Sequence, residues 1–274
     1  MVSTPDAIQI RALKTIAELK AVEELQVEVW SCSEREVLPS LALVPLLDIG
    51  GVLLGAFDKQ ELVGFVLGFP GVEGGDPILH SDMLAVRAKY RSTGLGYRLK
   101  LEQRTAALAN GIEKITWTFD PLQAANAHLN FGKLGVIADR YKINYYGETS
   151  SALHRTGTDR LWVTWLLRSD RVTQRLSAPG NRPSAADAEA LPALIRVGPD
   201  GAPLSGVLNM KQNSLRIEIP NDINAMVNME ETRARRWREA TRAQFTAALA
   251  AGFIVTDFFK ATSIRPGFYL LTPS

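Results

Sequence analysis

Hydrophobic and polar positions along the chain follow two periods in turn. Ile8-Gln9-Ile10-Arg11-Ala12-Leu13 alternates and predicts a first strand. Thr15 then offers a helix cap, and Ile16, Leu19, Val22, Leu25 and Val29 form one stripe, which predicts a helix to about Trp30. Residues 31–45 keep no clean period and read as irregular, with room for a short second helix. Val52 to Asp58, a tight turn at Lys59-Gln60, and Leu62 to Pro70 predict an antiparallel hairpin, followed by a loop GVEGGDP. Leu79 to Val86 has strand character and ends on the apolar run Met83, Leu84, Ala85, Val86. Leu95, Leu99 and Leu108 share a helical face that Gly111 stops. KITWTF, Lys114 to Phe119, is a strand one helix further on, the spacing of a parallel crossover. Ala124 to Leu134 carries an apolar stripe of Ala127, Phe131 and Leu134 beside a polar one of Asn126, Asn130 and Lys133, with Gly135 as its stop. Val136 to Tyr146 and Leu161 to Leu167 read as two closing strands.

Beyond residue 170 the pattern loosens. Arg171 to Pro192 is rich in Ala, Pro, Ser and charge and reads as a linker. Ala193 to Val197 and Leu204 to Leu208 suggest a hairpin about GPDG, and Leu215 to Ile219 a strand. Glu230 to Ala251 is a long helix with Ala234, Trp237, Thr241, Phe245 and Leu249 on one side, stopped by Gly252. Phe253 to Lys260 and Gly267 to Leu271 close the chain as strands. The interleaved Arg233, Arg235, Arg236, Arg238 and Arg242 with Glu230, Glu231 and Glu239 read as a solvated, ion-paired face. No repeat of the first half is evident in the second.

Composition narrows the class. A length of 274 residues with 46% hydrophobic content suggests a soluble globular protein of one or two domains, and a net charge of +2 argues against a nucleic-acid partner. Cys32 is the single cysteine and cannot form an internal disulfide, which points to a reducing cytoplasm. MVSTPDAIQIRAL lacks a signal-peptide core, and the most apolar stretch, Leu41 to Phe57, is broken by Pro45, Asp48 and paired glycines, so no membrane span is expected.

Candidate chemistry gathers where the central strand meets its helix, at Arg91-Ser92-Thr93-Gly94-Leu95-Gly96. Two glycines let the backbone turn and approach a ligand, and the helix start adds unpaired N–H groups and a positive dipole end, an anion site suited to a pyrophosphate. The loop is open to three readings. One is a packing joint with no ligand. Another is a dinucleotide turn, weakened by Leu99 where a third small residue belongs, though Asp120 follows the next strand as that fingerprint requires. The third is Arg-x-x-Gly-x-Gly with Val86 five residues before the Arg, which resembles motif A of the GNAT acyltransferases. The order of elements to about residue 170 matches that family, and Asn126 to Gly135 resembles its motif B. The phrases WTFDPL, NAHLNFGKLG, YYG and TDRLW resemble a branch of predicted acetyltransferases with a long C-terminal extension.

The resemblance implies an α/β (α+β) fold: a mixed, mostly antiparallel sheet with a central crossover and splayed central strands. It implies a GNAT domain over 1–170, a linker at 171–192 and an α+β extension at 193–274 that packs on that domain or on a second subunit, a homodimer being possible. The implied co-substrate is acetyl-CoA or another acyl-CoA, with no metal. Met83, Leu84, Ala85 and Val86 would hold the pantetheine and the thioester oxygen. Arg91, Ser92, Thr93, Gly94, Leu95 and Gly96 would wrap the pyrophosphate, with charge from Arg91 and Arg98; Asn126 and Lys133 would contact CoA. For the proton of the attacking amine, His80 and Asp82 lie two apart and share a strand face unless a bulge intervenes, with Glu36 and Glu73 as weaker candidates. Phe131 stands where many relatives place a tyrosine that protonates the thiolate, so Tyr141, Tyr145 or Tyr146 would substitute or the thiolate leaves unassisted. The implied acceptor is a small amine such as an amino acid. A non-catalytic acyl-CoA-binding module or sensor is the alternative.

Overall fold

A computed structural model describes residues 8–31, 33, 35–147, 155–178, 180, 182–209 and 211–274; Cys32 and the N-terminal MVSTPDA lie outside them. The chain divides into two compact units inside one strand, between Trp117 and Thr118. Each is described by itself below.

The first unit begins with β1 (Gln9–Ala12) and α1 (Ile16–Trp30). A capping box starts that helix, the Thr15 hydroxyl accepting from the Glu18 N–H and the Glu18 carboxylate from the Thr15 N–H. The region expected to be irregular contains α2 (Ser40–Asp48), a helix that runs through Pro45. A proline removes one internal hydrogen bond, and burial of Leu43 and Leu46 outweighs that loss here. β2 (Val52–Asp58), β3 (Glu61–Glu73) and β4 (Asp76–Val86) follow, then a single 3₁₀ turn, α3 (Leu95–Ala109) and β5 (Lys114–Phe119). The hairpin of β3 and β4 reaches into the expected loop at both ends and turns at Gly74 and Gly75, both at positive φ. Strand order is β1-β2-β3-β4-β5, antiparallel up to β4 and parallel between β4 and β5.

β3 reads as a continuous apolar run because both sheet faces are covered. Phe65 and Leu67 pack with Leu19, Val22, Leu25, Leu43 and Leu46 of α1 and α2, while Val66 packs with Leu95 and Leu99 of α3.

The second unit holds α4 (Ala124–Ala127), which continues as a π-helical stretch His128–Leu134, then β6 (Ile137–Lys142) and β7 (Arg160–Leu166). The expected linker instead contains α5 (Asp170–Ser177) and α6 (Ala185–Glu189), each started by a serine that accepts a backbone N–H. β8 (Ala193–Val197), β9 (Pro203–Ser205), β10 (Leu215–Ile219), α7 (Ile223–Met229), α8 (Glu231–Ala250), β11 (Phe253–Phe259) and β12 (Gly267–Pro273) complete it, in the strand order β7-β6-β11-β12-β10-β8-β9. Ala234, Trp237, Thr241 and Phe245 of α8 are buried as the stripe predicts, with Ala248 in place of Leu249. The ion-paired face is half as expected. Arg233 and Arg235 pair with exposed glutamates, but Arg238 is buried and clasps Asp120 at 2.8 and 2.7 Å, and Arg242 clasps the fully buried Asp159. Among the described residues no helix is long and apolar enough to cross a membrane.

Candidate active site

The first unit contains a break in its own sheet. β4 and β5 pair at Leu79 with Ile115 and His80 with Thr116, and among the described residues the pairing covers these two positions. At the same point the register of β4 against β3 slips: Gly68 faces Ser81 and Leu67 faces Met83, so Asp82 is the extra residue of a bulge. The alternation that would put His80 and Asp82 on one face of a regular strand is therefore interrupted between them. His80, Met83 and Ala85 fall on the side of α1 and α2, and Ser81, Leu84 and Val86 on the side of α3.

Alternation sorts the backbone groups as well. The Arg87 N–H donates to the Val63 carbonyl on β3, so Ala85 and Met83 turn their N–H groups toward β3, and Leu84 and Val86 turn theirs away from it. Of the four residues expected to supply N–H groups beyond the break, two are oriented to do so.

Past Val86 the chain makes its 3₁₀ turn, Ala88–Tyr90, and enters the loop that starts α3. Ser92 and Gly94 both adopt left-handed backbone, at φ 63° and 88°, which brings Gly94 to the helix N-cap. No side chain caps this helix and its first turn has no acidic residue, so the N–H groups of Leu95 and Gly96 meet no acceptor within the helix. A methyl at Gly94 would meet nothing within 4 Å, and one at Gly96 would meet only Leu84 Cδ2 at 3.7 Å. These glycines are not packing joints; they keep a surface bare. The loop is held by its own side chains: Thr93 Oγ1 donates to the Tyr90 carbonyl at 2.7 Å, and the Tyr90 hydroxyl donates to Asp58. Arg91 is exposed with its Nε on the Val86 carbonyl, whereas Arg98 donates to the Ile8 carbonyl at 2.8 Å and is committed to β1's approach.

Two titratable groups flank the break. His80 is half-buried, its Nδ1 2.9 Å from Thr116 Oγ1, and desolvation with the charge of Lys100 pulls its pKa below the ordinary histidine value. Asp82 keeps contact with solvent, yet desolvation raises its carboxyl above the usual range, as for a side chain in a concave surface. The other two acids are occupied elsewhere: Glu36 accepts from Ser33, and Glu73 pairs with Lys114. Beneath the bulge lies a residue that the sequence pattern does not flag. Lys100 is fully buried, donating to Ser81 Oγ and Gln103 Oε1 at 2.8 Å each, with its Nζ 3.8 Å from the centroid of Trp117. Its one sequence signal is the stripe Lys100, Gln103, Ala107 at i, i+3, i+7, all buried. Among the described residues no three His, Cys, Asp or Glu side chains are gathered to hold a metal ion.

Residues 19–135, from α1 through the π-helical stretch, match the model of the acetyltransferase (GNAT) family. Over that stretch this chain is similar to the GNAT acetyltransferases. Solved structures with a similar fold include an aminoglycoside 6′-acetyltransferase type Ii (18% identity, TM-score 0.47, covering 59% of this chain and 98% of that one). Others are the ribosomal-protein-S18-alanine N-acetyltransferase of Escherichia coli (16%, 0.46, 58% and 94%) and a GNAT family acetyltransferase of Elizabethkingia anophelis with acetyl-CoA bound (17%, 0.43, 59% and 99%). No curated protein sequence gives a match.

The GNAT match continues into the second unit, where the remaining expected residues stand. Asn126 and Lys133 are exposed on α4 and the π-helical stretch. Phe131 is fully buried, its ring against Phe119 and Tyr269, so it is a core residue as well as one without a proton to give. Tyr141 donates to Asp159 at 2.9 Å, and burial drives its pKa far up, which removes it as a proton donor. Tyr145 and Tyr146 are exposed, and the Tyr146 hydroxyl is 3.1 Å from Thr118 Oγ1. Asp120, the acid a dinucleotide turn would need, is taken by Arg238.

Proposed function

We propose that this GNAT domain transfers an acyl group from a CoA thioester to the amine of a small molecule, an amino acid being the acceptor class that its resemblance to extended relatives suggests. The observation that carries the reading is the coincidence, within one stretch of chain, of a broken strand pair and an uncapped helix end. The N-terminus of α3 offers N–H groups of Leu95 and Gly96 to a pyrophosphate, with the glycine surfaces bare. Where β4 leaves β5, the N–H groups of Leu84 and Val86 are turned to receive the pantetheine and the thioester oxygen. Residues 83–86 and 91–96 are then the CoA-binding residues of the first unit, and the resemblance adds Asn126 and Lys133 as CoA contacts. Holding both substrates beside one strand break supplies much of the acceleration, because attack becomes effectively unimolecular.

The incoming ammonium, received by the Asp82 carboxylate, first gives one proton to His80, held neutral at ordinary pH, which frees the nitrogen lone pair. The neutral amine then attacks the thioester carbon, the C–S bond breaks with CoA leaving as a thiolate, and the nitrogen gives its second proton to solvent to become the amide. A thiol of pKa about 8.5 leaves without a donor, which agrees with a buried Phe131.

That same missing tyrosine favours one other reading, an acyl-CoA-binding module without turnover. Release of free CoA is measured against a panel of amines, alongside CoA binding by calorimetry for the protein and for Gly96→Val. Amine-dependent thiol release with CoA affinity weakened about tenfold or more in the variant supports the transferase, since a side chain there blocks backbone approach. Binding with no release supports the module, and unchanged affinity in folded Gly96→Val overturns the loop assignment.

A further inference from the structure

A fully buried ammonium is costly, and Lys100 is placed where that cost has a local consequence. The partners of its Nζ include one from each element at the break: Gln103 on its own helix α3, Ser81 on β4 and the face of Trp117 on β5. Ser81 stands between His80, the last residue of β4 that pairs with β5, and Asp82, the bulged residue. Two hydrogen bonds and a ring contact of one amino group thus tie the start of α3 to both strands at the point where they part. Complete burial pushes the Lys100 pKa well down, and replacing a buried charge by an apolar chain of similar length is often neutral or stabilising. A charge kept at such a site is not explained by stability alone.

We propose that Lys100 is a positioning residue for acyl transfer: through Ser81 and Trp117 it fixes the bulge and the strand break beside His80. The proposal rests on the acyl-transfer reading above and adds to it the group that holds the geometry. The charges acting on His80 are Lys100 from α3 and Glu73 from β3, which is itself paired with Lys114 of β5; Asp82 lies two residues along the same strand.

The test uses Lys100→Met and Ser81→Ala in the full chain. Lys100→Met is expected to melt at or above the wild-type temperature and to bind CoA within about threefold, while kcat falls by about 10²-fold, the cost of an angstrom-scale misplacement. A melting temperature that drops with kcat unchanged assigns Lys100 a purely structural role and overturns the proposal. Should Lys100→Met fail to fold, Ser81→Ala carries the test: it keeps the ammonium and loses one anchor, and kcat equal to wild type overturns the proposal. The His80 ring resonances, assigned with His80→Ala, are titrated by NMR in the same variants and need no turnover. Their midpoint moves in Lys100→Met, because the break beside His80 is no longer held, and an unmoved midpoint overturns the proposal even if no amine is acylated. Absence of turnover in the wild type strikes the acyl-transfer reading instead, so the two failures are told apart.

Discussion

His80 and Asp82 have opposite shifts for the same physical reason: desolvation favours the neutral form of each, which lowers a histidine and raises a carboxyl. Both shifts suit a base that must accept a proton near neutral pH, but the two residues are predicted to fail differently. His80→Ala lowers kcat by about 10²-fold or more and leaves CoA affinity unchanged, since general-base catalysis contributes about 10²–10⁴-fold. Asp82→Asn raises KM for the amine more than it lowers kcat, because it weakens ammonium capture. The sign of the pH dependence follows. The rate rises with pH as the ring loses its proton, and because folding depresses the His80 pKa, the midpoint lies below the ordinary histidine value of about 6.5. Steady-state profiles of both variants check this; wild-type rates and an unmoved acidic limb in both would place the base elsewhere.

At the scale of elements, the bulge in β4 depends on a tight fit across three layers, and Gly68 on β3 is its narrowest point. A methyl there would lie 2.8 Å from Leu79 Cγ and 3.0 Å from Gln103 Nε2, a buried amide whose oxygen already accepts from Lys100. Gly68→Ala is expected to cost about 1–3 kcal/mol by overpacking, read as a lower urea midpoint at constant m. It also lowers kcat, since Leu79 adjoins His80. β2, α3 and β5 were legible in the sequence because each is an apolar pattern closed by a turn residue or a glycine stop. The bulge was not legible: His80-Ser81-Asp82 keeps the same letters whether or not β3 slips by one, and register belongs to the pair of strands. α2 was legible only as room for a short helix, because Pro45 was read as the end of that stretch; its local cost is outweighed by the burial of Leu43 and Leu46. Lys100 was hidden by its charge, which reads as a solvent face until Ser81, Gln103 and Trp117 are seen around it. In the loop at 91–96, the glycines and the helix start were legible because backbone freedom is written in residue type; the diversion of Arg98 to the Ile8 carbonyl was not.

The whole chain divides inside β5, so the last part of the stretch that reads as a GNAT domain, after Trp117, shares one compact unit with the stretch that reads as an extension. Within that second unit the sharing is dense. Asp120 is clasped by Arg238, Asp159 by Arg242, and Phe131 rests on Tyr269, whose hydroxyl donates to the Pro121 carbonyl at 2.6 Å. β6 pairs with β11, so a strand from before residue 170 has its neighbour after it. A chain cut after residue 170 keeps Asp120, Asp159, Phe131 and β6 and loses every one of these partners. Breaking a buried ion pair by removing one side costs about 3–5 kcal/mol, against a total stability of about 5–15 kcal/mol for a typical domain, so two such losses with an uncovered aromatic core exceed what the fragment can absorb. The 1–170 fragment is therefore predicted to aggregate or to lack a cooperative melt, by size-exclusion chromatography and circular dichroism. Arg238→Met in the full chain gives the graded version, losing about 3–5 kcal/mol because Asp120 is left buried without its guanidinium. Adding Asp120→Leu is predicted to recover much of that loss, since an apolar pair replaces an unpaired charge. A 1–170 fragment that is soluble, monomeric and as active as the full chain on the same amine would make the C-terminal half a separable passenger.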